Sequence, residues 1–376
     1  MINRSISVIL IMLVLALSVT VNLGYTPSAV DAKSGIAKSV LKYDRDKNCA
    51  IDQHTPLNAT TYLTHFSCGH VTIFKNGTTL RQFSLIIEEN HKLPITLAED
   101  TNKSVMFPAW TFNGSIPGPI MRMTQGDHVQ VKVINHGQMA HSLHMHSIHA
   151  GNVDGVPIIS GDSGFISPGK SFTYNFTASP MGNFNYHCHM TPVAEHINRG
   201  LYGGLIIDPI AKNARPAMHE INMFLSGFDL KIHKPYPSMI NVTQANALMN
   251  MSADSDGNNM TNSITDEHDN SIYVVNGMAN YYMHHPIELA THQPVRIYLF
   301  NMLDFEENSF HLHGQVFKYY PSGTSDTPSF TNDVISLSQG DRGIVETQFD
   351  LPGVYMSHAH IEQIGARGWT ALFSVR

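Results

Sequence analysis

Four His-x-His pairs are the residues of this chain best suited to chemistry. The pairs fall into two sets of similar spacing: His144 and His146 with His187 and His189, and His311 and His313 with His358 and His360. Imidazole is the commonest side-chain metal ligand, and residues i and i+2 of a strand face the same way. Each pair therefore predicts a two-pronged metal clamp. Satisfied core histidines are the alternative, which a fourfold recurrence at matched spacing disfavours.

Cys188 lies inside one of these pairs and requires a different site. In an extended segment it points away from His187 and His189, so its partners are expected among other histidines. His141 precedes the first pair at odd spacing, and His196 follows Cys188 by eight residues. Two imidazoles and a thiolate in a trigonal set describe a blue-copper electron-transfer site. Zinc is the competing metal, although structural zinc needs a fourth strong ligand, and none is evident.

The residue expected at the axial position of this site is Leu201, a few residues after His196. Leucine cannot coordinate a metal. Met190 is the other candidate, but it adjoins His189 and is expected to pack in the core. Because the axial ligand tunes the potential of such a site, the absence of a thioether predicts a high reduction potential.

Composition indicates a chain with two domains and a substantial core. It has 376 residues, 42% of them hydrophobic, in short apolar runs with many glycines and prolines, as in an all-β protein. The formal net charge of −7 argues against a nucleic-acid partner.

The N-terminal segment is typical of export. Arg4 is followed by an uncharged apolar run and then by small residues, so residues 1–32 are interpreted as a signal peptide or, alternatively, a membrane anchor. The protein is expected to be extracytoplasmic: secreted, periplasmic or at the cell surface. An oxidising compartment favours a disulfide between Cys49 and Cys68, in an N-terminal extension at 33–77.

Strand patterns then recur in the same order in each half of the chain. The predicted strands are 81–88, 129–134, 171–176 and 203–208 in the first half, and 294–300, 343–349 and 371–375 in the second. We interpret 78–212 and 213–376 as tandem β-sandwich domains, one duplicated from the other. Residues 239–270 are polar and aperiodic, which predicts a long loop.

The motifs together resemble those of multicopper oxidases. They are Pro117-Gly118-Pro119, Arg122, Gly126-Asp127, His144-Met145-His146, Tyr186-His187-Cys188-His189, Phe310-His311-Leu312-His313-Gly314 and His358-Ala359-His360-Ile361-Glu362. The resemblance covers about residues 78–376 and includes all four copper motifs in order. It implies two cupredoxin-like Greek-key domains, a type 1 copper, and a trinuclear cluster that reduces O2 to water.

The second half departs from the family pattern at the mononuclear site. Asn308 stands where His141 has its counterpart, and Ala359 replaces the cysteine; Ile364 and Trp369 stand where a histidine and an axial ligand belong. The resemblance therefore implies a two-domain oxidase with type 1 copper in the first domain only. In such proteins the cluster is formed between the subunits of a homotrimer.

The resemblance also implies a role for each ligand and four coppers per protomer. The type 1 ligands are His141, Cys188 and His196; the type 2 ligands are His144 and His311; the type 3 ligands are His146, His187, His189, His313, His358 and His360. Electrons are expected to pass from Cys188 through the adjacent His187 and His189. Asp154 stands where the family often has a proton-relay acid, although Asp-Gly is also an ordinary turn.

Two other functions remain open from the sequence. A copper nitrite reductase, reducing nitrite to NO, would share the 141/188/196 layout, but it has an aspartate at the position of His144 and lacks the counterpart of His189. A non-enzymatic copper carrier or electron-transfer protein would need one copper site and would not use eight further histidines. For the oxidase, the electron donor could be a phenol, a metal ion or a small reduced nitrogen compound. Methionines 239, 249, 251 and 260 suggest cuprous ion, or are simply loop residues.

Overall fold

The computed structural model describes residues 49–50, 58–97, 103–230, 270–303 and 306–376. Strands dominate, which confirms the all-β prediction. In the first half they are β1 Cys49–Ala50, β2 Phe66–Ser67, β3 His70–Ile73, β4 Thr79–Thr96, β5 Ser104–Phe112, β6 Gly118–Thr124, β7 His128–Asn135, β8 His144–Met145, β9 Ser171–Thr177, β10 Gly182–His187 and β11 Tyr202–Asp208. In the second half they are β12 His219–Phe228, β13 Ile272–Val275, β14 Ile287–Leu289, β15 Pro294–Asn301, β16 Asn308–Leu312, β17 Phe317–Pro321, β18 Phe330–Asn332, β19 Val334–Leu337, β20 Arg342–Gln348, β21 Gly353–His358 and β22 Thr370–Val375.

The helices are short and lie in the connections. Within the described ranges the α-helices are α1 Ala59–Tyr62, α2 Pro157–Ser160, α3 Val193–Asn198, α4 Tyr281–His284 and α5 Glu362–Ala366. Single 3-10 turns span Gly151–Val153, Gly161–Gly164 and Ala211–Asn213. No helix in the described part of the chain is long and apolar enough to span a membrane.

Two sheets with matching strand order form each half. The first half pairs β3-β4-β7-β9, with β5 beside β4, and β1-β2-β6-β11-β10-β8. The second pairs β13-β12-β15-β20-β17-β18 and β14-β22-β21-β16-β19. In both halves an early strand runs parallel to its partner, β4 with β7 and β12 with β15. The shared topology supports the interpretation of the second half as a repeat of the first.

Alternation along the strands explains why each pair of sheets closes over a core. In β7 the valines at 129, 131 and 133 are buried while His128 and Lys132 are exposed, as expected of strands with one face toward the core. The same alternation is seen in β4 before its bulge. Each half has its own apolar core, and Trp110 and Trp369 are the largest buried side chains in them.

A third apolar cluster and a buried ionic network join the two halves. Aromatic rings stack across the boundary, with Tyr202 and Phe224 at 5.2 Å between ring centroids. Beside them Arg122 binds Asp208 at 2.7 and 2.9 Å and Glu220 at 2.7 Å. Arg296 also contacts Glu220, at 3.1 Å. The two halves are therefore held in one fixed arrangement.

The segment assigned to the extension packs on both halves, since Ala59 lies in the apolar core of the second half and Asn222 donates to the carbonyl of Tyr62. Residues 58–77 supply α1, β2 and β3, and β3 pairs with β4. Cys49 and Cys68 form the predicted disulfide, with Cα atoms 5.4 Å apart. The domain boundaries remain predictions. The leader at 1–32 and the loop at 239–270, except its last residue, lie outside the described residues.

Candidate metal centres

His141, Cys188 and His196 converge in the core of the first sandwich. Sγ of Cys188 lies 3.2 Å from Nδ1 of His196 and 3.7 Å from Nδ1 of His141, and the two Nδ1 atoms are 3.2 Å apart. All three side chains are fully buried. The segment around His141 and the segment that holds Cys188 and His196, 47 to 55 residues further along the chain, thus present one sulfur and two nitrogens to a common point.

The local chain path explains how each of these residues is positioned. Cys188 follows the last residue of β10, and its N–H donates to the carbonyl of Leu201 at 3.0 Å. His196 lies in α3, directly after that strand end. The ring of Trp110 packs edge-on against His196 and His141, at 4.8 and 5.5 Å between centroids. This apolar wall restricts both imidazoles.

The electrostatics of the group favour a thiolate. Burial alone would raise the pKa of the Cys188 thiol, but the charge and hydrogen bonds of His196 and His141 outweigh it and hold that pKa well below its usual value. The thiolate is the form of cysteine that binds metals. Burial lowers the pKa of His141, whereas its hydrogen bonds with Cys188 and Glu89 raise it to about 9.

Glu89 is a contact of this site that the sequence reasoning missed. Its Oε1 lies 2.8 Å from Nε2 of His141, on the ring edge opposite Cys188. Burial raises the pKa of the Glu89 carboxyl, but hydrogen bonds from His141 and from backbone N–H groups hold it below its usual value. Glu89 continues the alternate positions of β4 whose side chains are buried. A charged residue at such a position was the sequence signal that could have identified it.

A second group gathers the four histidines of the first half. The ring of His144 lies 5.0 to 5.3 Å from the rings of His146, His187 and His189. Nε2 of His146 and Nε2 of His187 face each other at 3.2 Å. The strand pairing of β8 with β10 sets this arrangement, since it places His187 directly opposite His144.

Neutral imidazoles are favoured in this group. Burial, reinforced by the charge on His144, lowers the pKa of His146 to about 3, and burial lowers that of His187 well below its usual value. Metal binding requires the neutral ring. Nδ1 of His187 donates to the carbonyl of Cys188 at 2.9 Å, which leaves Nε2 as the ligating atom.

Asp154 lies beside this group, where the sequence predicted a relay acid. Its backbone carbonyl is 2.9 Å from Nδ1 of His144, and its Oδ1 is 3.2 Å from the same nitrogen. His149, which the sequence reasoning did not single out, has Nε2 3.5 Å from that carboxylate. Gly155 allows the loop to return here: its φ is +76°, and a Cβ would lie 2.0 Å from the carbonyl of Leu143.

A third group, in the second half, repeats the second. The ring of His311 lies 4.6 to 5.4 Å from those of His313, His358 and His360. Nε2 of His313 faces Nε2 of His358 at 3.0 Å, and Nδ1 of His358 donates to the next carbonyl, of Ala359, at 2.8 Å. His313 and His360 are exposed. Among the described residues, no ring of this group stacks on a ring of the first half's group.

The group of His141, Cys188 and His196 (the mononuclear group) has no counterpart at the equivalent positions of the described second half. Nδ2 of Asn308 donates to Asn301 at 3.2 Å, and Ala359, Ile364 and Trp369 are buried in the apolar core. These side chains offer no thiolate or imidazole. The predicted loss of ligands at these four positions agrees with this packing.

The donor sets fit copper. Two imidazoles with one thiolate suit a copper electron-transfer site, and imidazole sets suit copper generally. Two nitrogens bound to one ion at about 2 Å each, roughly 100° apart, lie roughly 3.1 Å from each other, and the facing Nε2 pairs are 3.2 and 3.0 Å apart. Nδ1 of His189 is buried with no hydrogen-bond partner in the described chain, as expected of an atom that awaits a ligand.

Comparison with known proteins identifies the family. Models described as "Multicopper oxidase" match residues 96–212 and 244–376. The chain belongs to the multicopper oxidase family. A solved structure described as a multicopper oxidase is 34% identical, with a TM-score of 0.69, over 87% of this chain and 100% of that one. The chain accordingly has the cupredoxin-like β-sandwich domains of a copper-dependent oxidoreductase family.

Two curated relatives indicate the range of the family. The copper-containing nitrite reductase of Neisseria gonorrhoeae is 27% identical over 67% of this chain and 58% of that protein. The L-ascorbate oxidase of Cucurbita maxima is 33% identical over 43% of this chain and 27% of that protein. The chain thus spans about three fifths of the length of the nitrite reductase and a smaller part of the ascorbate oxidase. Which reaction this protein catalyses therefore has to be inferred from the residues of the site.

The axial position of the mononuclear group remains a prediction. Leu201 and Met190 are both buried, at 0% and 2% exposure, in the same apolar cluster as Cys188. Leu201 is tied to the site through its backbone, since its N–H donates to the carbonyl of His196 at 3.1 Å. Its side chain brings no donor atom.

Proposed function

We propose that this protein is a two-domain oxidase that couples one-electron oxidation of a donor to four-electron reduction of O2 to water. His141, Cys188 and His196 would hold a type 1 copper. His144 and His311 would hold a type 2 copper. The type 3 pair would be held by a set of six histidines: His146, His187, His189, His313, His358 and His360. When bound, copper supplies one-electron redox chemistry and the binding of O2.

The observation that carries this proposal is the matched pair of four-histidine groups. A nitrite reductase with one type 2 copper would use three histidines, and its pattern places a catalytic aspartate at position 144. Here both positions are histidines that lie within the group: the ring centroids of His144 and His189 are 5.3 Å apart. The two groups hold eight imidazoles, five more than the three of a single type 2 copper, and this favours a cluster of several ions over a single type 2 ion.

The residues around the groups have roles that follow from their contacts. Backbone carbonyls hold Nδ1 of His144, His187, His311 and His358 at 2.8 to 2.9 Å, so each ring presents Nε2 to the metal. Cys188 and His187 are covalently adjacent, which gives the shortest link between the two kinds of site. Asp154 holds a carboxylate beside His144, where a proton can be kept for oxygen reduction.

A homotrimer is proposed because each four-histidine group would supply only half of the eight histidine ligands of the proposed cluster. His313 and His360 are exposed, and so are three apolar side chains in the segments that lead to or follow the histidines of this group: Val316, Leu351 and Val354. Exposed apolar side chains beside exposed ligands favour docking of a second copy. A closed ring of three copies would bring the first half's group of one subunit to the second half's group of the next.

The donor and location are proposed only by class. Phenols, metal ions and small reduced nitrogen compounds all remain donors under this proposal. Oxidation of cuprous ion can be tested by deleting residues 239–262. Unchanged Cu(I) turnover would show that the methionines of this segment do not bind the donor. An extracytoplasmic location is supported by the Cys49–Cys68 disulfide, because disulfides persist in oxidising compartments.

Copper stoichiometry with electron paramagnetic resonance and light scattering tests the proposal. The copper-loaded protein should be a trimer with four coppers per protomer, and only the type 1 and type 2 ions should give signals, since the type 3 pair is coupled. O2 uptake should accompany oxidation of a phenolic probe. Two coppers per protomer with NO production from nitrite would establish the reductase instead, and one copper would establish a carrier.

A further inference from the structure

Glu89 occupies a position that strand alternation reserves for core side chains. Phe83, Leu85 and Ile87 form a buried row along β4, and Glu89 is the next residue of that row. Its side chain is only 7% exposed. Burial of a carboxylate is unfavourable unless hydrogen bonds or charges compensate it. The contacts of this carboxylate therefore indicate what it does.

Three N–H groups converge on one oxygen of Glu89. Its Oε1 lies 2.8 Å from Nε2 of His141, 2.8 Å from the backbone nitrogen of Met139 and 3.0 Å from that of Gln138. The loop must pass close to achieve this, since a Cβ on Gly137 would lie 2.3 Å from the same oxygen. The loop that leads to His141 is thus wrapped around this carboxylate.

The two ring nitrogens of His141 point in opposite directions. Nε2 faces Glu89, while Nδ1 lies 3.2 Å from Nδ1 of His196 and 3.7 Å from Sγ of Cys188. A ring that donates Nε2–H to a carboxylate keeps the lone pair of Nδ1 for a metal. Nε2 of His196, by contrast, has no hydrogen-bond partner in the described part of the chain. Only one of the two imidazoles has a charged anchor.

The internal repeat identifies the position that corresponds to Glu89. Ile87, two residues before Glu89, pairs with Asn135, the last residue of β7. In the second half Leu225, two residues before Gly227, pairs with Asn301, the last residue of β15. Both pairings lie in equivalent parallel strand pairs. Gly227 is therefore the counterpart of Glu89.

The carboxylate is present only in the half that has the histidine. In the second half the counterpart of His141 is Asn308, and the counterpart of Glu89 is Gly227, whose missing side chain leaves space taken by Leu303 and Asn270. A carboxylate needed merely to cap the loop would serve both halves equally. Its pairing with His141 indicates a role at the mononuclear site.

We propose that Glu89 is a positioning residue of that site, which holds His141 with Nδ1 toward the metal and strengthens it as a donor. A negative charge on the far edge of the ring stabilises the more highly charged cupric state. Glu89 therefore lowers the reduction potential, against the opposite effect expected of Leu201. The inference depends on the proposed function in one respect: copper must occupy the group at Cys188.

Two substitutions separate the charge of Glu89 from its hydrogen bonds. In Glu89→Gln the amide oxygen can accept the same three hydrogen bonds, so the loop is retained and only the charge is removed. Glu89→Ala removes both. Glu88→Gln is the matched control, because Glu88 is the adjacent residue, has a side chain 45% exposed and forms an ion pair with His91 at 3.6 Å, away from His141.

The readouts are a redox titration of the thiolate-to-copper charge-transfer band and competition of the apoprotein with a chelator for copper. Glu89→Gln should raise the reduction potential, with the copper content unchanged. Glu89→Ala should weaken copper binding at the coloured site about 10- to 100-fold. Glu88→Gln should match the unmodified protein in both measurements.

The inference is overturned if Glu89→Gln has the same potential as Glu88→Gln. Should Glu89→Ala fail to fold, the potential of Glu89→Gln still decides. Absence of the coloured site from the unmodified protein would instead count against the proposed function. The two failures are therefore distinguishable.

Discussion

Cys188 and His187 are neighbours in sequence but face different sites, and one hydrogen bond joins them. The carbonyl of Cys188 accepts from Nδ1 of His187 at 2.9 Å, while its Sγ lies in the mononuclear group. The alternation of an extended chain places the two side chains on opposite sides. One peptide unit thus connects the mononuclear group with the histidine group of the first half.

Cys188→Ser should remove the charge-transfer colour and donor oxidation while sparing the cluster. A hydroxyl of similar size fits the buried position but cannot replace the thiolate as a soft ligand. Copper content should fall from four to three per protomer, as measured by metal analysis and paramagnetic resonance. Persistence of the colour would show that the thiolate belongs to no copper site.

His313→Ala should leave the colour intact and stop O2 consumption. The substitution removes one of two nitrogens that face each other at 3.0 Å in the second half's group, far from Cys188. O2 uptake and the absorption spectrum would be recorded side by side. His284→Ala, at an exposed histidine outside the three groups, is the control and should be unaffected. Equal O2 uptake by both variants would contradict the cluster assignment.

Asp154→Asn should slow O2 reduction by about 100-fold or more, because positioned acid-base groups contribute about 10²- to 10⁴-fold. Bleaching of the colour by donor under anaerobic conditions should be unchanged. Asp333→Asn is the matched control: that carboxylate lies 3.9 Å from the equivalent nitrogen of His311 and is 52% exposed. An equal loss in the two variants would argue against a specific relay at Asp154.

Leu201→Met should lower the reduction potential of the mononuclear copper, since a thioether at the axial position stabilises the cupric state. A redox titration of the charge-transfer band measures the shift. Leu205→Met supplies the control, because Leu205 is equally buried in the same apolar cluster. If the potential does not fall in Leu201→Met, the axial assignment is wrong.

Arg122→Ala should destabilise the fold by about 3–5 kcal/mol, because it leaves the buried carboxylate of Asp208 without its charged partner and removes one of the two arginines that bind Glu220. The guanidinium, 5% exposed, binds Asp208 and Glu220 between the two sandwiches. Arg376→Ala breaks an exposed pair with Glu288 and should change stability by less than about 1 kcal/mol. Urea unfolding measures both, and equal midpoints would show that the network does not hold the halves together.

Much of the site follows from local sequence. The i, i+2 spacing of His187 and His189 and the odd spacing of His141 predict which side chains share a face, because the period of a strand is two. The recurrence of that spacing also predicts the repeat of the fold. Family resemblance added the ligand roles, which spacing alone leaves open.

The partners of these residues depended on contacts between segments distant in sequence. Glu89 and His141 are 52 residues apart, and neither forms part of a motif with the other. The bulge in β4, where pairing shifts register between Glu88 and His91, accompanies the approach of that carboxylate to the loop. His149 likewise became relevant only once its loop folded back on Asp154.

The sequence by itself determined which side chains can bind metal and which of them face together, because both depend on residue type and on the two-residue period of a strand. Only the tertiary structure decided which ring nitrogen of each histidine faces its group, which carboxylate anchors His141, and that one chain holds two separate histidine groups. Those features depend on how strands pair and sheets pack, and neither is encoded in any single segment.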